Sequence, residues 1–159
     1  MTNFRCIPIP SDTAARFRAT GKDDRGNTLR ELEATDAHSF PCRHCLFYAQ
    51  PGEIMLLGSY DLPRPRGIYW TPSPIFVHAE ACPAFASDDM LAPIVREHAL
   101  VSLRAYDSGD QCLYDLGHVS AGADLDAPLA QALDDPRTSF LSMHTARPGC
   151  MLCQIERHA

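Results

Sequence analysis

The sequence predicts an α+β fold: a single domain over residues 1–159, with a mainly antiparallel β-sheet and two or three short helices. Segments with the apolar pattern of strands outnumber segments with helical spacing, and short turns join many of them. Strands and helices do not alternate regularly, which argues against a parallel, doubly wound sheet. A chain of 159 residues is also long enough to bury a hydrophobic core.

The first third of the chain predicts one helix and two strands. Ser11 begins a short helix, Phe17 lies on its inner face, and Gly21 ends it. A loose alternation of apolar and polar residues over 28–35 predicts a strand. The apolar run within 53–61 predicts a longer one.

Proline divides the middle of the chain. The segment 62–67 is a proline-rich loop, because its prolines lack the N–H groups that a strand or helix needs. Strand segments are expected at 68–71 and 75–79. Asp88 is expected to cap a short helix that runs past Pro93.

The last third predicts a hairpin, a helix and two closing strands. The sequence Asp107-Ser108-Gly109-Asp110 is a turn signal between two apolar runs. Leucine and alanine recur at helical spacing over 124–134, which makes this the clearest helix. Strands are expected over 100–106, 111–119, 139–145 and 150–157.

Composition narrows the classes of function. The formal net charge of −6 argues against binding to nucleic acid or to an anionic membrane, so we expect the partner to be a small molecule or another protein. The N-terminal residues lack the apolar stretch of a secretion signal, and a cytoplasmic location is expected. Seven cysteines, an odd number, do not suit a fully paired secreted framework. In a reducing compartment, closely spaced cysteines indicate metal or redox chemistry.

The run Pro41-Cys42-Arg43-His44-Cys45 carries the strongest chemical signal. Two thiols three positions apart can face the same way at a tight turn, which suits a tetrahedral metal ion or an internal disulfide. Zinc is the expected metal, because it prefers sulfur and nitrogen donors. Candidates for the second half of the site are His78, Cys82, Cys150 and Cys153. Cys153 is the weakest of them, because residues three apart on a strand point to opposite faces.

His78 lies at the end of the apolar run Pro74-Ile75-Phe76-Val77, where a strand would leave the core. If the strand continued, Glu80 and Cys82 would share a face with His78. A His-x-Glu pair and a Pro-Cys-x-x-Cys run also occur in zinc deaminases. There the cysteines follow the histidine, whereas here they precede it, so we interpret the match as coincidence.

Two alternatives to metal binding remain open. Arg43 and His44 lie between the thiols, and nearby positive charge lowers a thiol pKa, which would suit a redox dithiol formed by Cys42 and Cys45. The long helix that follows the cysteines in thioredoxin-like proteins is absent, because Pro51-Gly52 interrupts the chain. The second alternative is a binding or scaffold domain in which the cysteines are buried as small apolar residues.

The order and spacing of several motifs resemble one known family. These motifs are Pro41-Cys42-Arg43-His44-Cys45-Leu46, Pro51-Gly52-Glu53, Ser59-Tyr60-Asp61, Pro74-Ile75-Phe76-Val77-His78-Ala79-Glu80 with Cys82, Arg104-Ala105-Tyr106, Gly149-Cys150 and Ile155-Glu156-Arg157. Over about residues 4–158 the chain resembles the bacterial domain-of-unknown-function family 1203. The resemblance implies a small bacterial domain with no established activity.

The family pattern implies which residues matter. It includes positions that match Cys42, Arg43, Cys45, His78, Cys82 and Cys150. The chain has His144-Thr145 where the pattern has an Arg-Asn pair, so a ligand role of that pair does not carry over.

Taken together, these observations predict a zinc site formed by Cys42, Cys45 and some of His78, Cys82 and Cys150. Arg43, His44 and Glu80 are further candidates for this site.

Overall fold

Eight strands form two antiparallel sheets in the computed structural model, which describes residues 2–158. The predicted α+β class with a mainly antiparallel sheet is confirmed. The strands are β1 (Phe4–Ile7), β2 (Arg30–Glu33), β3 (Ile54–Asp61), β4 (Pro72–His78), β5 (Val101–Tyr106), β6 (His118–Ser120), β7 (Phe140–Thr145) and β8 (Met151–Arg157). The α-helices are α1 (Ser11–Thr20), α2 (Pro93–Arg96) and α3 (Asp126–Asp134). Within residues 2–158, no helix combines the length and the apolar character that a membrane span requires.

The larger sheet has the strand order β1-β8-β7-β5-β6. Its central strand, β7, is buried along its whole length, because it has a neighbour on each side and is covered on both faces. Helices α2 and α3 pack their apolar residues on this sheet, as expected for amphipathic helices. Leu103, Leu141, Met143 and Ile155 form the centre of this first core.

The smaller sheet has the order β2-β3-β4, and α1 packs on it. Phe17, Met55 and Val77 are fully buried in this second core. Pro72 and Pro74 belong to β4 and are exposed, which is possible because β4 is an edge strand that needs no ladder donor on its open side.

Four elements differ from the sequence predictions. In place of the strand expected over 111–119, a 3₁₀ helix (Tyr114–Leu116) precedes the short strand β6. The strand expected over 68–71 is a 3₁₀ helix (Gly67–Tyr69), and the middle helix begins at Pro93 rather than near Asp88. Proline is favoured in the first turn of a helix, because backbone N–H groups at that position make no hydrogen bond within the helix and proline loses none. The sequence analysis also missed β1, whose alternation extends over four residues and which pairs with the end of the chain (Phe4 opposite Arg157).

The loop that precedes β3 lies between the two sheets. The backbone N–H of Arg43 donates to the carbonyl of Phe76 in β4 (2.9 Å), and Cys42 forms a parallel bridge with Phe76. On the other side, Nε of Arg43 donates to the carbonyl of Met151 at the start of β8 (2.7 Å). The C-R-H-C run is therefore fixed against both sheets, although it belongs to neither.

Candidate metal centre

The residues Cys42 to Cys45 form a tight turn, as the sequence predicted. The N–H of Leu46 donates to the carbonyl of Cys42, and the N–H of Cys42 donates to the carbonyl of Phe47, both at 3.0 Å. Leu46 adopts a left-handed backbone conformation (φ 59°), which reverses the chain. The backbone N–H of Cys45 is directed at the Cys42 thiol, and the backbone N–H of Phe47 is directed at the Cys45 thiol. Both thiols therefore lie on the inside of one turn.

Four side chains converge at this turn. The ligand atoms of Cys42, Cys45, His78 and Cys82 all lie within 4.8 Å of one another. Sγ of Cys42 is 3.9 Å from Sγ of Cys82, and Sγ of Cys45 is 3.6 Å from Nδ1 of His78.

These separations are those of a tetrahedral metal site. Bonds of about 2.3 Å to sulfur and about 2.0 Å to nitrogen place two sulfur ligands about 3.8 Å apart, and a sulfur and a nitrogen about 3.5 Å apart. All cysteines in the described part of the chain are free thiols. The cluster is thus too open for a disulfide, which needs about 2.05 Å between sulfurs, and its size fits a metal ion.

Second-layer groups orient the four ligands. Nε2 of His78 lies 2.9 Å from a carboxylate oxygen of Glu53, which leaves Nδ1 directed at the thiols. Nη2 of Arg18 donates to Sγ of Cys82 (3.4 Å), and Nδ1 of His44 lies 3.3 Å from the same sulfur. A carboxylate behind a ligating histidine and N–H groups beside thiolates are the usual supports of metal sites.

The thiols and the histidine influence each other electrostatically. The hydrogen bond from Cys45 lowers the pKa of Cys42, and the same contact raises the pKa of Cys45. A hydrogen bond to the Cys42 thiol raises the pKa of His78 to about 10. Negative charge is therefore concentrated at Cys42, where it favours a cation among the ligands.

The cluster is buried on one side and accessible on the other. Cys42 is fully buried and Cys45 is 7% exposed, both within the second core. Cys45, His78 and Cys82 line one end of a cavity of about 470 Å³ that opens toward solvent. This cavity provides a path by which a metal ion can reach the thiols.

The structure places three other candidate residues, Cys150, Cys153 and Glu80, outside this cluster. Cys150 lies at the turn before β8 and lines a different cavity, together with Arg43. Cys153 is buried in the first core, where the neighbouring Cys6 thiol and burial raise its pKa. Glu80 is exposed beyond the end of β4: the chain bends after His78, so the strand geometry that would align Glu80 with His78 does not continue.

Sequence reasoning missed two second-layer groups. Glu53 reaches His78 because β3 and β4 are paired, with Met55 opposite His78. Arg18 comes from α1, and its Nε donates to the carbonyl of His78 (3.0 Å). The turn signal before Glu53 predicts that a strand begins there, but no local sequence feature predicts that the Glu53 side chain contacts His78.

Comparison with known proteins places the chain in a family. The model of the family described as "Protein of unknown function (DUF1203)" matches residues 39–157. The chain belongs to the DUF1203 family. Neither the curated proteins nor the solved structures contain a match. The DUF1203 match includes the four clustered residues and Cys150, whereas Arg18 precedes it.

Proposed function

We propose that this DUF1203 protein binds one zinc ion through Cys42, Cys45, His78 and Cys82, and that the metal has a structural role. The observation that supports the proposal is the spacing of the four ligand atoms, all within 4.8 Å of one another. This spacing matches a tetrahedral site in two independent pairs, the two sulfurs of Cys42 and Cys82 and the sulfur–nitrogen pair of Cys45 and His78.

The donor atoms favour zinc over other common metals. Calcium and magnesium take oxygen ligands, which the cluster does not offer. Iron–sulfur clusters are mostly held by four cysteines. Three thiolates and one imidazole nitrogen are a common structural zinc set.

The number of protein ligands supports a structural role. Four side chains fill the tetrahedral positions, whereas a catalytic zinc keeps one position for water. The proposed ion joins three parts of the chain: the turn that contains Cys42 and Cys45, the end of β4, and the segment that contains Cys82. Zn²⁺ with three thiolates has a net charge of −1, and the Arg18 guanidinium beside Cys82 partly offsets it.

Metal content tests the proposal directly. The full chain, purified without a metal-affinity tag and dialysed, is expected to show one zinc per chain by elemental analysis and by native mass spectrometry. Chelation followed by denaturation should then expose Cys42, Cys45 and Cys82 to thiol reagents. A protein that takes up no zinc when zinc is supplied would contradict the proposal. A metal-free protein that gains two thiols on reduction would favour a Cys42–Cys45 dithiol instead.

The contact between Glu53 and His78 gives a prediction of its own. Glu53→Gln removes the negative charge 2.9 Å from Nε2 of His78 and should weaken zinc binding roughly tenfold, because second-layer carboxylates strengthen a histidine ligand. The measurement is competition with a chromophoric chelator. Glu33→Gln is the matched control, since Glu33 is an exposed carboxylate on the neighbouring strand β2. Equal zinc affinity in both variants would exclude a role for Glu53.

A further inference from the structure

A second cavity, which Arg43 lines but none of the four clustered side chains does, has a different chemistry. Its volume is about 380 Å³, within the range of pockets that hold small molecules. Arg43 and Arg147 line it together with the Cys150 thiol, and Phe76 contributes an apolar wall. Although the chain carries 20 acidic residues, no Asp or Glu of residues 2–158 lines this cavity.

Arg43 is a buried cation without a carboxylate partner. Its side chain hydrogen-bonds to the carbonyls of Pro41 and Met151 through Nη1 and Nε, at 2.7 Å each, and the residue is 3% exposed. Among the described residues it forms no ion pair. A guanidinium has further N–H donors on its outer nitrogens, and a buried charge without a counterion is costly.

Arg147 adds a second open guanidinium at the mouth of the cavity. It is exposed on the turn between β7 and β8, and no residue in the described part of the chain hydrogen-bonds or ion-pairs with its side chain. His98 also lines the cavity, and its pKa is lowered by burial and by the charge of Arg43, so it is a neutral hydrogen-bonding group at neutral pH. The polar lining is therefore cationic or neutral throughout.

We propose that this cavity binds a small oxyanion ligand, an organic carboxylate or phosphate, with its charged group between Arg43 and Arg147 and its body against Phe76. Arginine suits this ligand because its planar fork matches two oxygens of a carboxylate or phosphate. Cys150 lies in the cavity wall, where it can report on the occupant. The proposal does not depend on the zinc site.

The test uses two alkylating reagents of similar size and different charge. Iodoacetate is an anion and iodoacetamide is neutral. In both cases the thiolate sulfur forms a bond to carbon and iodide leaves. We expect the ratio of iodoacetate to iodoacetamide rates at Cys150, measured by peptide mass spectrometry on the zinc-supplied full chain, to exceed the ratio at Cys112 at least about tenfold. Cys112 is the internal reference: it is also half-buried and near an arginine, Arg104, but lies outside the cavity.

Competing anions complete the test. Inorganic phosphate and benzoate, each against potassium chloride at equal ionic strength, should slow alkylation at Cys150 and leave Cys112 unchanged. The anion that protects at the lower concentration identifies a phosphate or a carboxylate as the preferred charged group. Arg147→Gln should reduce both the rate ratio and the protection severalfold, and because Arg147 is exposed the substitution removes no buried contact.

Three results would overturn the proposal. They are equal reagent ratios at Cys150 and Cys112, protection by chloride as strong as protection by phosphate and benzoate, and an Arg147→Gln variant that behaves like the wild type.

Discussion

Cys42→Ser is expected to abolish zinc retention and to lower the free energy of unfolding by about 3–5 kcal/mol, because loss of a metal site is one of the mechanisms behind the largest effects of single substitutions. Cys42 is expected to have the largest structural role of the four proposed ligands, because it is fully buried and its backbone is bridged to β4. Serine does not replace a thiolate as a zinc ligand, and the remaining cysteines would then be protonated inside the second core. Elemental analysis and urea denaturation measure the two effects.

Cys112→Ser is the matched control for this experiment. It removes a half-buried thiol outside the cluster and should leave zinc content unchanged and stability within about 1 kcal/mol of the wild type. A second comparison separates the metal from simple packing. Added chelator should destabilise the wild type and have no further effect on Cys42→Ser. If Cys42→Ser retains one zinc per chain, the assignment of Cys42 as a ligand is wrong.

Acid is expected to destabilise the protein through His144, by about 3 kcal/mol between pH 6.5 and pH 4. Burial, and next the charge of Arg104, lower the pKa of His144 to about 4, whereas an unfolded histidine titrates near 6.5. In the folded chain Nδ1 donates to the carbonyl of Gly149 (2.9 Å), and Nε2 accepts from Ser142 Oγ (2.8 Å), an arrangement that fits the neutral ring.

The direction of this effect follows from proton uptake. Below pH 6.5 the unfolded chain binds a proton at His144 that the folded chain does not accept until about pH 4, so stability is complete above 6.5 and falls as the pH decreases. His144→Gln, which can keep both hydrogen bonds, should flatten this part of the pH profile of urea unfolding. His118→Gln, at an exposed position, is the control. Any acid release of metal is common to all three proteins and cancels in the comparison. Parallel pH profiles for wild type and His144→Gln would contradict the prediction.

Sequence reasoning located two of the four candidate ligands, Cys42 and Cys45, and reduced the choice of the other two to a few residues. The Cys42–Cys45 spacing predicts a shared turn, because that geometry is local. The position of His78 at the end of an apolar strand also depends on nearby residues alone. The choice between Cys82 and Cys150 does not depend on nearby residues alone, because long segments separate both from the turn. It depends on which of the two segments the sheets bring beside the turn.

In the fold, too, elements with a strong local pattern are predictable, whereas elements that depend on long-range pairing are not. Long segments with one clear period, such as β3 and α3, match their predicted positions within a few residues. The strand β1 has four residues and no strong pattern of its own. Its formation depends on the open edge of β8, which is contributed by the other end of the chain. Support of the proposed metal ligands by Glu53 and Arg18 likewise arises from strand pairing and helix packing.

Arg43 follows directly on Cys42 of the proposed zinc site and also lines the cavity that contains Cys150. One cation is therefore shared by the proposed zinc site and the proposed oxyanion cavity. A shared charge makes the two equilibria thermodynamically linked: whatever factor zinc applies to phosphate affinity, phosphate must apply to zinc affinity. Affinities measured at either site are thus expected to depend on the occupancy of the other.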